Sequence, residues 1–131
     1  MNHKIKYKKA FSLIELIFII AVIAIISSIA IPKLSNINTK ATISSIKQDI
    51  NTIITSVTSY YLVNGSIDKI SDSVNLDTSV WIVNDTTIKY KSCVTITLNN
   101  LQLSINIDKS SSEVCQKLYD NGIKNTIYSL N

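Results

Sequence analysis

The chain has 131 residues, 46% of them hydrophobic and 17% charged, with a formal net charge of +4. That length holds one domain with at most an appendage. The positive charge is local: Lys4, Lys6, Lys8 and Lys9 all precede residue 11, and without residues 1–10 nine lysines face nine acidic side chains, which excludes a general electrostatic attraction for nucleic acid.

Met1 to Ala10 reads as a polar, basic leader. Phe11 to Ile31 follows as a 21-residue apolar run whose only charge is Glu15. At ~1.5 Å per helical residue, such a run covers the ~30 Å hydrocarbon core of a bilayer, and it is longer than the apolar part of a signal peptide. Lysines on its N-terminal flank hold that end in the cytoplasm, so one span with the N-terminus inside is expected. Pro32 ends the run. It lacks a backbone donor and crowds the preceding turn, which predicts a helix kink there. Beyond it Leu34, Ile37, Ala41, Ile46, Ile50, Ile53, Ile54, Val57 and Tyr61 recur at helical spacing among polar residues, the pattern of an amphipathic helix. Asn64-Gly65 is its stop signal. Joined across Pro32, the helix would run from about Phe11 to Val63, roughly 80 Å.

After Gly65 the texture is that of short strands. Val80–Val83, Thr87–Leu98 and Leu101–Ile107 are candidate strands, with Asn99-Asn100 as a hairpin turn between the last two. Ser110–Ser112 precede a short helix beginning near Glu113 and closed by Gly122, and Ile123–Leu130 is a candidate edge strand. The expected organisation is a leader (1–10), an apolar half-helix (11–31), an amphipathic half-helix (32–63) and a β-rich head (64–131). Its fold class is α+β: a long N-terminal helix with a small antiparallel sheet packed on its second half.

Cys93 and Cys115 are the only cysteines, and both fall on the exported side. An even count there favours a disulfide over free thiols. A zinc site lacks ligands, because the one histidine is His3 in the leader. The absence of histidine from residues 11–131 also leaves no Ser-His or Cys-His nucleophile pair. Gly65 and Gly122, the only glycines, make no phosphate loop. No enzyme and no cofactor are expected. Asp68, Asp72, Asp77 and Asp85 read as solvated loop carboxylates, with calcium binding as the alternative. Trp81 and Tyr90 read as strand core beside solvated Lys89 and Lys91, with a DNA-contacting patch as the alternative.

The run Lys9-Ala10-Phe11-Ser12-Leu13-Ile14-Glu15-Leu16 resembles the processing site of type IV pilins and type II secretion pseudopilins. The resemblance is tight over residues 1–35 and architectural beyond residue 66. It implies cleavage between Ala10 and Phe11 by a prepilin peptidase, N-methylation of the Phe11 amine, and a role for Glu15 in assembly through the amine of a neighbouring subunit. The family usually has Gly before the cut, where this chain has Ala10. The implied partners are the peptidase/N-methyltransferase, the inner membrane, an assembly platform protein and other subunits of a pilus, secretion or DNA-uptake filament. The implied location is the inner membrane, with the head in the periplasm, and then the filament. Two rival readings are a DNA-binding minor pilin of a competence system and a plain exported protein with an anchor or signal peptide. Ser28-Ile29-Ala30 offers the latter a small-x-small cleavage site, but Glu15, the run's length and its continuation into an amphipathic helix speak against it.

Overall fold

The computed structural model describes residues 9–131, except the side chains of Ala30 and of residues 32–35. In chain order come helix α1 (Leu13–Asn64), one 3-10 turn (Ile70–Asp72), strands β1 (Ile82–Val83), β2 (Thr87–Tyr90), β3 (Val94–Asn99) and β4 (Gln102–Ile107), helix α2 (Glu113–Asp120) and strand β5 (Thr126–Ser129). The five strands form one antiparallel sheet in sequence order, which with α1 gives the α+β architecture expected from the sequence. The chain divides into two compact units, and the boundary lies inside α1 between Asn38 and Thr39. Helical backbone runs through Pro32; the kink expected there falls on a residue whose side chain lies outside the described ones.

In the second unit, Ile43, Ile46, Ile50, Ile53 and Val57 of α1 are buried. Their alternating spacing of three and four keeps them on one stripe of a 3.6-residue helix. This stripe differs from the expected face at its start: Ile37 and Ala41 are exposed and Ile43 is buried instead. Ala41 precedes Ile50 by nine residues, two and a half turns, and so lies on the opposite side of the helix. Gly65 ends α1 with φ +73°, and its N–H donates to the Tyr61 carbonyl at 2.8 Å. That left-handed conformation is the one glycine adopts without penalty.

The sheet alternates as a half-buried sheet should. Ile88, Ile96 and Ile105 form one cross-strand row, and Tyr90, Val94 and Ile107 form the next. All six are buried and share one core with the α1 stripe, α2 residues Cys115 and Leu118, and the connector residues Ile67, Ile70 and Trp81. The long run Thr87–Leu98 is two strands, not one. It breaks at Lys91–Cys93, where Lys91 has φ +48° and the Cys93 N–H donates to the Tyr90 carbonyl at 3.0 Å. The next hairpin turns on Asn100-Leu101, one residue later than Asn99-Asn100. Both turn residues have positive φ and Asn99 pairs with Gln102, the geometry that suits the twist of a hairpin. The Leu101 carbonyl accepts from the Leu130 N–H at 2.9 Å, which ties the tail to this turn.

Cys93 and Cys115 form a disulfide, with Cα atoms 5.5 Å apart and a sequence separation of 22. It joins the β2–β3 turn to the first turn of α2. Ser112 caps α2 by accepting from the Cys115 N–H at 3.2 Å, as an N-terminal serine does. Across the core, the Trp81 indole N–H donates to Asp49 Oδ2 at 2.8 Å. This bond satisfies the polar tip of a nearly fully buried ring and pins the connector between α1 and β1 to the helix.

Two substitutions test this core. Ile53→Ala, at a fully buried position, should cost about 2–5 kcal/mol by denaturant unfolding of the full chain in detergent. Cys93→Ser should cost about 3 kcal/mol for a loop of this length, and non-reducing peptide maps of the unmodified protein should link Cys93 to Cys115. Free thiols in protein isolated without reductant would contradict the pairing.

Candidate assembly site on the N-terminal helix

Lys9, Ala10, Phe11 and Ser12 precede α1 and are neither helix nor strand. The helix starts where Ser12 caps it. The Ser12 hydroxyl accepts from the Glu15 N–H at 3.3 Å, and the Ser12 carbonyl accepts from the Glu15 and Leu16 N–H groups at 3.1 and 3.2 Å. Ser12 and Glu15 thus stand at the two positions of a Ser-x-x-Glu capping signature. Glu15 lies in the first turn of α1, where the aligned peptide dipoles favour a negative charge. Lys9, Ala10, Phe11 and Glu15 line a shallow cleft of about 310 Å³, so the scissile pair expected from the sequence and the expected assembly carboxylate share one opening.

Every Phe, Leu, Ile and Val from Phe11 to Ile31 is exposed, from 40% for Ile19 and Val22 to 78% for Leu13. Successive helical residues are turned by about 100°, so the apolar surface encircles α1 with no polar face to turn toward water. A helix apolar all round belongs in apolar surroundings. Among the described residues, however, no helix is long and apolar enough to cross a membrane. Within α1 the unbroken described stretch of side chains, Leu13–Ile29, has 17 residues, short of the ~20 a span takes. The expected span through Ile31 includes Ala30, whose side chain lies outside the described residues.

The remaining candidates resolve differently. Trp81 is 1% exposed and Tyr90 8%, and their rings lie 5.5 Å apart in the core. Neither presents a face on which a nucleic-acid base could stack. Asp85 pairs with Lys69 at 3.2 Å. The Asp77 carboxyl is held below its ordinary pKa by hydrogen bonds from the Ser79 hydroxyl and N–H. Among the described residues no three His, Cys, Asp or Glu side chains gather as metal ligands. Around α2, hydrogen bonds from Ser110 lower the pKa of Asp108. A hydrogen bond from Lys117, followed by its charge, lowers that of Glu113. His3 and Lys4, Lys6 and Lys8 lie outside the described residues.

Ser12 and Asp49 stand outside the set of functional and core residues expected from the sequence. Ser12 had a legible signal, the spacing to Glu15. Asp49 had none, since its partner Trp81 is 32 residues away.

The family profile of the prokaryotic N-terminal methylation motif matches residues 5–31. The chain therefore carries the prepilin-type signal of type IV pilins and pseudopilins, and the match covers 27 of its 131 residues. No curated protein and no solved structure matches the chain.

Proposed function

We propose that this chain is a type IV pilin-like or pseudopilin subunit, a non-enzymatic building block that assembles into a filament through α1. The observation that carries this reading is the all-round apolar surface of α1 over the residues of the methylation motif. Before assembly, residues 11–31 are stored across the inner membrane, with the leader lysines on the cytoplasmic side and the head in the periplasm. A prepilin peptidase hydrolyses the Ala10–Phe11 bond, which leaves a carboxylate on Ala10 and a free amine on Phe11. Methylation of that amine keeps its positive charge. An assembly platform then transfers the helix from the bilayer to a bundle of subunits, and one apolar medium replaces another.

Glu15 gives that transfer its register. A carboxylate inside an apolar segment costs about 2.5–3.5 kcal/mol at mid-membrane for Asp, and less near the ends. The Phe11 amine of a neighbouring subunit is the cation that offsets it. Such a pair fixes alignment more than it adds stability. The disulfide-closed head has no part in this step beyond staying folded on the outer side. Pro32 is the place where α1 accommodates the passage from apolar half to head.

Two measurements test this reading. Mass spectra of the membrane fraction, after co-expression with a prepilin peptidase, should show a chain that begins at Phe11 and carries a methyl group on its amine. An intact Met1, or a chain beginning at Ile31, would refute it. Glu15→Ala should be inserted, processed and disulfide-bonded like the unmodified protein, yet be missing from sheared filaments or from co-purified subunit complexes. Glu15→Asp, one methylene shorter, should retain part of the incorporation.

A further inference from the structure

We propose that Ser12 is a positioning residue for leader removal: it caps α1 so that the helix begins at Leu13 and the Ala10–Phe11 bond stays outside it. This rests on the processing reading above. A peptide bond inside a helix has its N–H or C=O engaged and its backbone coiled, whereas a peptidase needs a segment free to lie extended in its cleft. The residues on both sides of the expected cut are non-helical and exposed, and they open on a cleft shared with Glu15. Only two residues separate that bond from the first helical residue.

The leader lysines disfavour a helix N-terminus among them, but they do not set the residue at which α1 begins. Lys9 and Ala10 are good helix formers, and the apolar segment that follows is a preformed helix from which another turn could grow. The stop comes from Ser12. Its hydroxyl can accept from the Glu15 N–H only while its own backbone stays out of helical geometry. An alanine in its place removes the acceptor and inserts the strongest helix former, so α1 should grow back over Phe11 and Ala10. The motif matched over residues 5–31 points independently to the peptidase as the agent that acts on this stretch.

Capping has a chemical ranking that pocket size does not share. Asn and Asp cap about as well as Ser, and Ala caps poorly. A peptidase subsite that merely selects a small residue would instead accept Ala and resist Asn and Asp. The experiment incubates the full-length precursor in membranes with a prepilin peptidase and measures the initial rate of leader loss for the wild type, Ser12→Ala, Ser12→Asn and Ser12→Asp. The expected result is a rate about fivefold lower for Ser12→Ala, the population ratio an ordinary cap controls, with Ser12→Asn and Ser12→Asp within about twofold of wild type. The helix onset, read from 13Cα chemical shifts of the same full-length precursors in micelles, should move from Leu13 to Ala10 in Ser12→Ala and stay at Leu13 in Ser12→Asn. A Ser12→Ala precursor cut as fast as wild type, a Ser12→Asn precursor slowed as much as Ser12→Ala, or a slowed Ser12→Ala whose helix still begins at Leu13 would each overturn the proposal. A wild-type precursor left uncut would instead overturn the processing reading itself, and so the two failures are told apart.

Discussion

The rest of this molecule depends on one constraint: the first half of α1 is apolar on every side, and water is the wrong medium for it. Fourteen large apolar side chains from Phe11 to Ile31 are exposed, and full burial of such a side chain is worth about 1.5–3 kcal/mol. Among the described residues of the first unit these side chains stay exposed, and apolar surroundings are what would bury them. A bilayer and a bundle of like helices are comparably apolar, and the exchange between them is therefore close to balanced in hydrophobic energy. A balanced exchange can run in either direction, and small specific terms then decide when and in what register it happens. Among residues 11–31 the only ionisable side chain is Glu15.

The same helix has a second task in the second unit. Residues beyond Asn64 number 67, few for a self-sufficient core. Ile43, Ile46, Ile50, Ile53 and Val57 complete that core from the helix side, so the head folds against a wall made of its own stalk. Two ties close what burial leaves loose. The Trp81–Asp49 bond holds the connector across the core, and the Cys93–Cys115 bridge holds α2 to the β2–β3 turn. The side of α1 opposite the buried stripe shows Ala41, Gln48, Thr52, Thr55 and Ser59, none of them charged. Periodicity in this stretch of α1 therefore reports burial in the head.

Legibility in the sequence followed the range of the interactions. The helix, its stop at Gly65 and α2 with its Ser112 cap are set by neighbours within about five residues, and their signals are local; the edge strand near the C-terminus shows a local pattern too, although its pairing partner is β4. The methylation motif is local too. Placement of the turns was less legible, because Lys91–Cys93 breaks a β-rich run without glycine or proline. That break is held by the Asp108 N–H, which donates to the Cys93 carbonyl at 2.8 Å, and by the disulfide. Hairpin register at Asn100-Leu101 likewise depends on the tail through Leu130. The Trp81–Asp49 tie could not be read at all, since a tryptophan in a strand-like run and an aspartate on a helix carry no mark of each other.

Charge gives the proposed assembly its arithmetic. Four lysines precede the apolar run; in the proposed precursor they would orient the span, and they also oppose helix growth toward them, because cations are unfavourable at a helix N-terminus. Their removal brings the chain to equal numbers of lysines and acidic residues. At the apolar end it leaves one amine on Phe11 and one carboxylate on Glu15. In a stack of identical subunits each such end offers one cation to one neighbour and one anion to another, so every pair can be satisfied with none left over. A second acidic residue in the run would leave a buried charge without a partner in every copy. A chain that kept its lysines would bring four excess cations into a dry bundle, where each unpaired charge is strongly destabilising. In the proposed assembly, leader removal is therefore the step that would make this end of α1 fit for burial among other subunits.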